Sequence, residues 1–336
     1  MTVSLVTGAA GFMGSHLVDE LLDLGHEVIA LDDLSGGYRE NVDPRAQFVA
    51  GSIGDVQLVD QLFARHSFDY VFHLAAYAAE GLSHFIRRFN YDNNLMGSIN
   101  LINASIKHPV KCFVFTSSIA VYGDNPPPLT EDMPPHPEDP YGVAKLAVEH
   151  DLHAARSLFG LNYIVFRPHN VYGERQNIGD RYRNVIGIFM NRILRGEPLV
   201  VFGDGNQTRA FTYVKDVTPV IARAVTVPEA YGEVFNIGAD TPYTVNALAD
   251  MVKRVMNADG LVQHVEARNE VKHAFSSHAK ALRFYGHVPR YSLEAGLTRM
   301  AAWVRQVGSR ATPAFGNIEI YRNLPPVWLE KADGSH

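Results

Sequence analysis

The chain has 336 residues, 46% of them hydrophobic and 20% charged, which supplies a full core and excludes general disorder. A net charge of -6 with no Lys/Arg-rich run excludes the basic footprint of a nucleic-acid binder. The lone cysteine, Cys112, excludes an internal disulfide framework and fits a reducing, cytoplasmic setting, while the absence of a signal-peptide pattern or an apolar run of ~18 residues gives no expectation of membrane association.

In chain order, 3–6 reads as a short buried strand and 15–24 as a helix that Gly25 ends. Strands follow at 27–31 and 46–50, a helix at 55–65 and a fourth strand at 70–74. A long helix over 90–106 leads to a fifth strand at 111–115, a helix at 141–159 and a sixth strand at 162–166. Strands alternating with helices of this length predict an α/β fold with a doubly wound parallel sheet of the Rossmann type. After Phe166 a polar stretch, NVYGERQNIGDRYRN, reads as a long functional loop. Helices at 185–194, 216–224 and 245–255 and strands at 199–202, 212–214 and 234–237 follow. These predict a smaller α/β substrate-binding domain over 167–330, woven onto a dinucleotide-binding domain over 1–166. The end from Pro325 onward reads as a loosely held tail.

The first strand runs into TGAAGFMG, residues 7–14. Gly8 permits a tight turn, Gly11 lets backbone approach a pyrophosphate, and Gly14 allows helix and strand to pack closely. The free N–H groups of the following helix suit phosphate oxygens. Asp32 lies 18 residues beyond Gly14 at the end of the second strand, placed to accept both ribose hydroxyls and to repel a 2′-phosphate. The motif therefore predicts NAD in preference to NADP, and Asp33 is read as a solvated loop acid.

YGVAK puts Tyr141 and Lys145 four apart on one helical face. An ammonium beside the phenol is expected to favour the phenolate and make Tyr141 a general base. TSSIAVYG, residues 116–123, ends the fifth strand in hydroxyls. Ser118 there is expected to open into the ligand crevice and share a substrate hydroxyl with Tyr141, while Thr116 and Ser117 read as caps of the strand end.

The motifs TGAAGFMG, DDLSGG, HLAA, YDNNLMGS, TSSIAVYG, YGVAK, RPHNVYGERQ, GDGNQTRAFTYV and VFNIG, in this order over roughly residues 3 to 305, resemble the extended short-chain dehydrogenase/reductase family, most of all its NAD-dependent nucleotide-sugar epimerases. The resemblance implies tightly held NAD, a nucleotide-sugar substrate and a homodimer through helices of the first domain. It implies that Gly8, Gly11, Gly14, Asp32 and the backbone of Phe12 and Met13 hold NAD. Ser52 and Ile53 fall at adenine, Ser52 in place of the usual acid. Leu74, Ala75 and Ala76 line the cofactor cleft, and Asn93 contacts the cofactor side. Tyr141 is implied as acid/base, Lys145 also as a ligand of the nicotinamide ribose, and Ser118 as the second hydroxyl partner. Asn170 and Arg209 are implied to bind the substrate diphosphate, with Arg268 as a further candidate. Ala210 and Lys215 replace acids common in the family.

Related dehydratases carry Asp-Glu where this chain has Ile119-Ala120, and decarboxylating relatives keep a glutamate there. Neither Ile119 nor Ala120 transfers a proton. The resemblance therefore implies the simpler cycle: C4 is oxidised by NAD, the 4-keto sugar turns, and C4 is reduced on its other face. The expected activity is 4-epimerisation of a UDP-hexose or UDP-uronate. The alternatives are a dehydratase with relocated acids, a net oxidoreductase, and, in another class, a non-catalytic NAD-binding regulator. Intact Ser118, Tyr141 and Lys145 count against the last.

Glu80 stands where the family often has an apolar residue. It reads first as a loop acid paired with Arg87 or Arg88, and second as a substrate contact recruited for proton transfer. His73, His84, His169 and His273 show no metal spacing, so no metal is expected. Cys112 reads as a buried small hydrophobe, which argues against 3,5-epimerase relatives that use a cysteine.

Overall fold

The structure, a computed structural model, describes residues 2–268, 270–286 and 289–328. Its first half alternates as expected: β1 (Val3–Thr7), α1 (Phe12–Asp23), β2 (Glu27–Asp32), β3 (Gln47–Ala50), α2 (Val56–Arg65) and β4 (Tyr70–His73). Two short helices, α3 (Glu80–Ser83) and α4 (Arg87–Tyr91), precede a wide π turn at Asp92–Met96 and α5 (Gly97–Lys107). The helix expected over 90–106 thus exists with one loosened turn. Asn94 explains the site of the loosening: its side chain accepts from Tyr77 N–H at 2.8 Å and donates to the Asn90 side chain at 2.8 Å, pinning the turn to the loop after β4.

β5 (Cys112–Thr116) is followed by a 3-10 turn at Ile119–Tyr122 and by α6 (Pro140–Phe159). The ends of α6 are written in its sequence. The Asp139 carboxylate accepts from Gly142 N–H at 2.9 Å, Pro140 occupies the first turn, and Gly160 closes the helix in the left-handed region at φ +74°. β6 (Tyr163–Pro168) completes the first unit.

The second half contains β7 (Val171–Tyr172), α7 (Val185–Leu194), β8 (Leu199–Phe202), β9 (Thr208–Ala210), β10 (Thr212–Tyr213), α8 (Thr218–Arg223) and β11 (Val234–Ile237). β12 (Pro242–Thr244), α9 (Val245–Met256), β13 (Val262–Val265), β14 (His273–Ala274), α10 (Ala279–Tyr285) and α11 (Leu293–Val307) follow. The sequence reading missed the short strands β7, β9, β12, β13 and β14, and also α3, α10 and α11.

One seven-stranded parallel sheet, in the order β11-β6-β5-β4-β1-β2-β3, organises the molecule. The order reverses between β1 and β4, where a doubly wound sheet opens its ligand crevice at the strands' carboxyl ends. Alternation along the strands feeds two cores. Val6, Ala30, Phe72 and Val114 face one side, and Leu5, Ile29, Val71 and Phe113 the other, all essentially inaccessible. β11 pairs with β6, so the second half of the chain returns to the first unit's sheet. Among the described residues no helix is long and apolar enough to cross a membrane.

The tail expectation is corrected where residues are described. Trp328 is buried and packs edge-on against Phe85 and Tyr182, at 6.1 and 5.3 Å between ring centres. Upstream, the Glu319 carboxylate accepts from the Arg88 and Phe89 N–H groups at 2.9 and 3.0 Å, and Arg310 lies 3.8 Å above the Tyr38 ring. Apolar burial and capping of an open helix end hold this segment down. The part of the tail from 329 onward lies outside the described residues.

Candidate active site

A cavity of about 460 Å³ runs along the carboxyl ends of the strands, from the β1 glycines to the β8–β9 region. At its floor the chain is packed against itself. Gly8 sits at φ +70°, and a Cβ there would lie 2.7 Å from Ala75 N; at Gly14 a Cβ would lie 2.0 Å from Gly8 O. Gly37, in DDLSGG, has the same duty, since its Cβ would lie 2.3 Å from Ala10 O. No side chain caps α1 and its first turn has no acid, so the amides of Phe12 and Met13 face the cavity uncapped. Asp32 is held by Ala10 N–H at 2.9 Å and Leu34 N–H at 2.7 Å. Burial pushes its carboxyl up, and those two hydrogen bonds oppose the shift. An uncapped helix start, a glycine cradle and an oriented carboxylate fit a dinucleotide: pyrophosphate on the amides, ribose hydroxyls on Asp32. Ser52, Ile53, Leu74, Ala75, Ala76 and Asn93 line the same cavity. The Ser52 hydroxyl accepts from Gly54 N–H at 3.1 Å, so it braces its own turn.

Ser118, Tyr141 and Lys145 meet in the middle of the cavity. β5 delivers Ser118, which accepts from Ala120 N–H at 3.1 Å. α6 delivers the other two, and both are buried. The Tyr141 phenol is pushed up, first by burial and then by the Glu80 charge, while a hydrogen bond with Ser118 pulls it down. Burial pushes Lys145 down to about 7, against the opposing pull of Glu149. Its Nζ donates to the Thr116 carbonyl at 2.8 Å. This corrects the expectation that the lysine holds the phenol's pKa down. The physical reason is desolvation, which penalises both charges and leaves the lysine itself only partly charged at neutral pH.

Behind the strand end, Ser117 donates to Glu149, which takes both Nε and Nη2 of Arg167, and Arg167 stacks 4.7 Å from the Tyr122 ring. Ser117 therefore anchors a buried ion pair. Sequence reasoning missed this pair, since Glu149 and Arg167 are distant in the chain and carry no motif of their own.

Asn170, Arg209, Arg268 and Glu80 line the cavity as well. Asn170 sits at φ +41° and donates to the Ala210 carbonyl at 3.2 Å. Arg209 is held by the Lys272 and Val271 carbonyls, and Arg268 by Glu270 at 2.8 Å over the Phe202 ring. Lys215 pairs with Glu20 at 3.2 Å, outside the cavity wall. Glu80 does not pair with Arg87 or Arg88, which are exposed on α4. Its carboxyl, which opens to the cavity, instead feels Asp139, Arg209, Arg268 and Glu270, and is pushed up, first by the desolvating cavity walls around it and then by the Asp139 charge. Asp139, Glu270 and Arg183 complete the wall and carried no sequence signal; Arg183 lies 4.4 Å above the Tyr77 ring and is held by Asp180 at 2.7 Å. Gln176, in RPHNVYGERQ, is buried in the wall and neither end of its amide has a hydrogen-bond partner among the described residues, which suits a polar ligand. Among the described residues no group of His, Cys, Asp or Glu is placed to hold a metal ion.

The chain matches the family model of the NAD dependent epimerase/dehydratase family over residues 4–238. It is 34% identical over 310 residues to a UDP-glucose 4-epimerase of Mycolicibacterium smegmatis, covering 90% of this chain and 98% of the relative. Its structure superimposes on the UDP-glucose 4-epimerase of Thermotoga maritima, solved with UDP-glucose, with a TM-score of 0.87 and 38% identity over 91% of this chain and 99% of the other. A UDP-glucuronic acid 4-epimerase of Bacillus cereus, solved with UDP-glucuronic acid and NAD, superimposes with a TM-score of 0.84 and 29% identity, over 91% and 100%.

Proposed function

Because the chain belongs to the NAD-dependent epimerase/dehydratase family, we propose that it inverts C4 of a UDP-sugar, a UDP-hexose or UDP-uronate, through a transient 4-keto intermediate. The observation that carries this reading is the meeting of Ser118, Tyr141 and Lys145 in one cavity with the glycine cradle of α1. Ile119 supports it, since it packs into an apolar cluster with Val121, Tyr122 and Leu129 where a dehydratase needs an acid.

NAD, when bound, supplies the hydride acceptor and donor and a positive charge. Tyr141 takes the proton of the C4 hydroxyl and returns it after inversion. Ser118 holds the same oxygen by hydrogen bond and keeps it on the phenol. Lys145, fixed on the Thr116 carbonyl, carries a proton that is gained or lost near neutral pH and so balances charge on Tyr141. Gly8, Gly11, Phe12, Met13, Gly14 and Asp32 grip the dinucleotide, with Ser52, Ile53, Leu74, Ala75, Ala76 and Asn93 along its length. Asn170, Arg209 and Arg268 receive the diphosphate, for which a guanidinium fork is suited.

In this reading 1–166 holds the cofactor and 167–330 the sugar nucleotide. The reading extends to a cytoplasmic homodimer, supported by the lone, buried Cys112 and by Leu158 and Phe159, exposed at the end of α6. Light scattering that gives the mass of one chain would remove the dimer. The activity is tested by incubating the protein with UDP-glucose, UDP-galactose and UDP-glucuronate and following C4 by NMR. Conversion of none of them would remove the reading.

A further inference from the structure

Glu80 opens α3, and Ser83 links its backbone to the start of α6. The Ser83 hydroxyl donates to the Glu80 carbonyl at 2.6 Å and reaches the Asp139 carboxylate at 3.3 Å, while Tyr141 N–H donates to the same hydroxyl at 3.3 Å. One serine thus ties the backbone of Glu80 to Asp139 and Tyr141. The Glu80 side chain is open to the cavity, and among the described residues its carboxylate has no hydrogen-bond donor or ion-pair partner. Of the charges acting on the Tyr141 phenol, that of Glu80 is the strongest. The cations acting on Glu80 are Arg209 and Arg268, and a Cβ at neighbouring Gly81 would lie 3.8 Å from Arg268 Nη1. Glu80 therefore shares the cavity wall with the C4 base and the guanidinium pair.

We propose that Glu80 is a second proton-transfer group, which removes and restores the proton on the ring carbon adjacent to C4 while C4 is a ketone. The inference rests on the C4 reading, since only a C4 carbonyl makes that proton acidic. The carboxylate takes the proton. The C–H electron pair becomes a C=C bond, the carbonyl pair moves to O4, and O4 takes the proton of Tyr141. Reversal restores the ketone with no net oxidation. Return of the proton to the opposite face inverts a second carbon. The cavity walls and the Asp139 charge push the carboxyl above the ordinary carboxylate range, toward the pH where it accepts and releases protons. Exposure to the cavity lets its proton exchange with solvent.

The test runs UDP-glucose, UDP-galactose and UDP-glucuronate with the NAD-loaded protein in D₂O, reading the ring positions by NMR. Deuterium at C3 or C5 is expected, and the labelled position identifies the edge that Glu80 faces. In Glu80→Gln, deuterium per C4 inversion falls about 100-fold, and Glu80→Asp restores part of it. NAD binding and circular dichroism report whether each variant is folded. C4 interconversion without ring deuterium overturns this inference and leaves the C4 reading standing. Labelling that persists in Glu80→Gln also overturns it. No conversion of any sugar overturns both.

Discussion

The Nζ of Lys145 donates to the Thr116 carbonyl at 2.8 Å and lies 5.7 Å from the centre of the Tyr141 ring. This buried placement sets a pH signature. Below about 7 the lysine is charged in the folded and unfolded states alike, and the folded protein bears the cost of burying the charge. Between about 7 and its ordinary value of ~10.4 the unfolded chain keeps a proton that the folded one sheds, so stability rises with pH. Lys145→Met removes this rise. Thermal unfolding of both proteins from pH 6 to 10 is expected to show the wild type gaining on the variant as pH increases. Parallel curves would contradict the assignment.

Arg167 and Glu149 form an ion pair with side chains only 6% and 7% accessible. Arg167→Met leaves a buried carboxylate and is expected to cost about 3–5 kcal/mol in urea unfolding. Glu149→Leu combined with Arg167→Met recovers much of that loss, because no unpaired charge remains. Additive losses would show that the pair is not the unit of stability.

The strands β1, β2 and β4 to β6 were legible because both faces of a parallel sheet are buried, which writes short apolar runs between helices. The glycine cradle was legible because its spacing carries a mechanism. Glu80 was not placed by its neighbours in sequence: Arg87 and Arg88 lie close in the chain, but α3 turns Glu80 into the cavity and leaves both arginines outside. The reading of Lys145 failed on burial, which spacing on a helix does not report. The short strands β12 and β14 each pair with β9 over two or three residues, too short for periodicity. α11 was readable: Ser292 caps it, accepting from Ala295 N–H at 3.2 Å, and Leu293, Leu297, Met300 and Val304 repeat at helical spacing.

Asp32 and Gly14 give paired predictions at the cofactor end. Asp32→Ala removes the acceptor for the ribose hydroxyls and the repulsion of a 2′-phosphate, so the NAD over NADP preference in a binding titration narrows by about tenfold or more. Gly14→Ala drives a methyl into the Gly8 carbonyl. Loss of dinucleotide binding together with a lowered Tm is expected. A variant that binds NAD normally would contradict the packing argument.

Trp328 is buried against Phe85, Tyr182 and Phe202. Trp328→Ala is expected to cost about 3–5 kcal/mol in chemical denaturation, as for large aromatic truncations in a core. Because Tyr182 and Phe202 line the cavity, the KM for the sugar nucleotide rises more than that for NAD. A change within about 0.5 kcal/mol, typical of surface sites, would show that the segment is loosely held.

The central claim is reversible inversion at C4 with Tyr141 as the acid/base. Its most direct measurement follows UDP-glucose and UDP-galactose separately by NMR, with the wild type and with Tyr141→Phe. The account predicts that both substrates reach one equilibrium mixture with the C6 oxygen retained and no net reduced cofactor, and that Tyr141→Phe slows the approach by about 100-fold or more while still binding NAD. Loss of the C6 oxygen, release of CO₂, or full activity in Tyr141→Phe would contradict it.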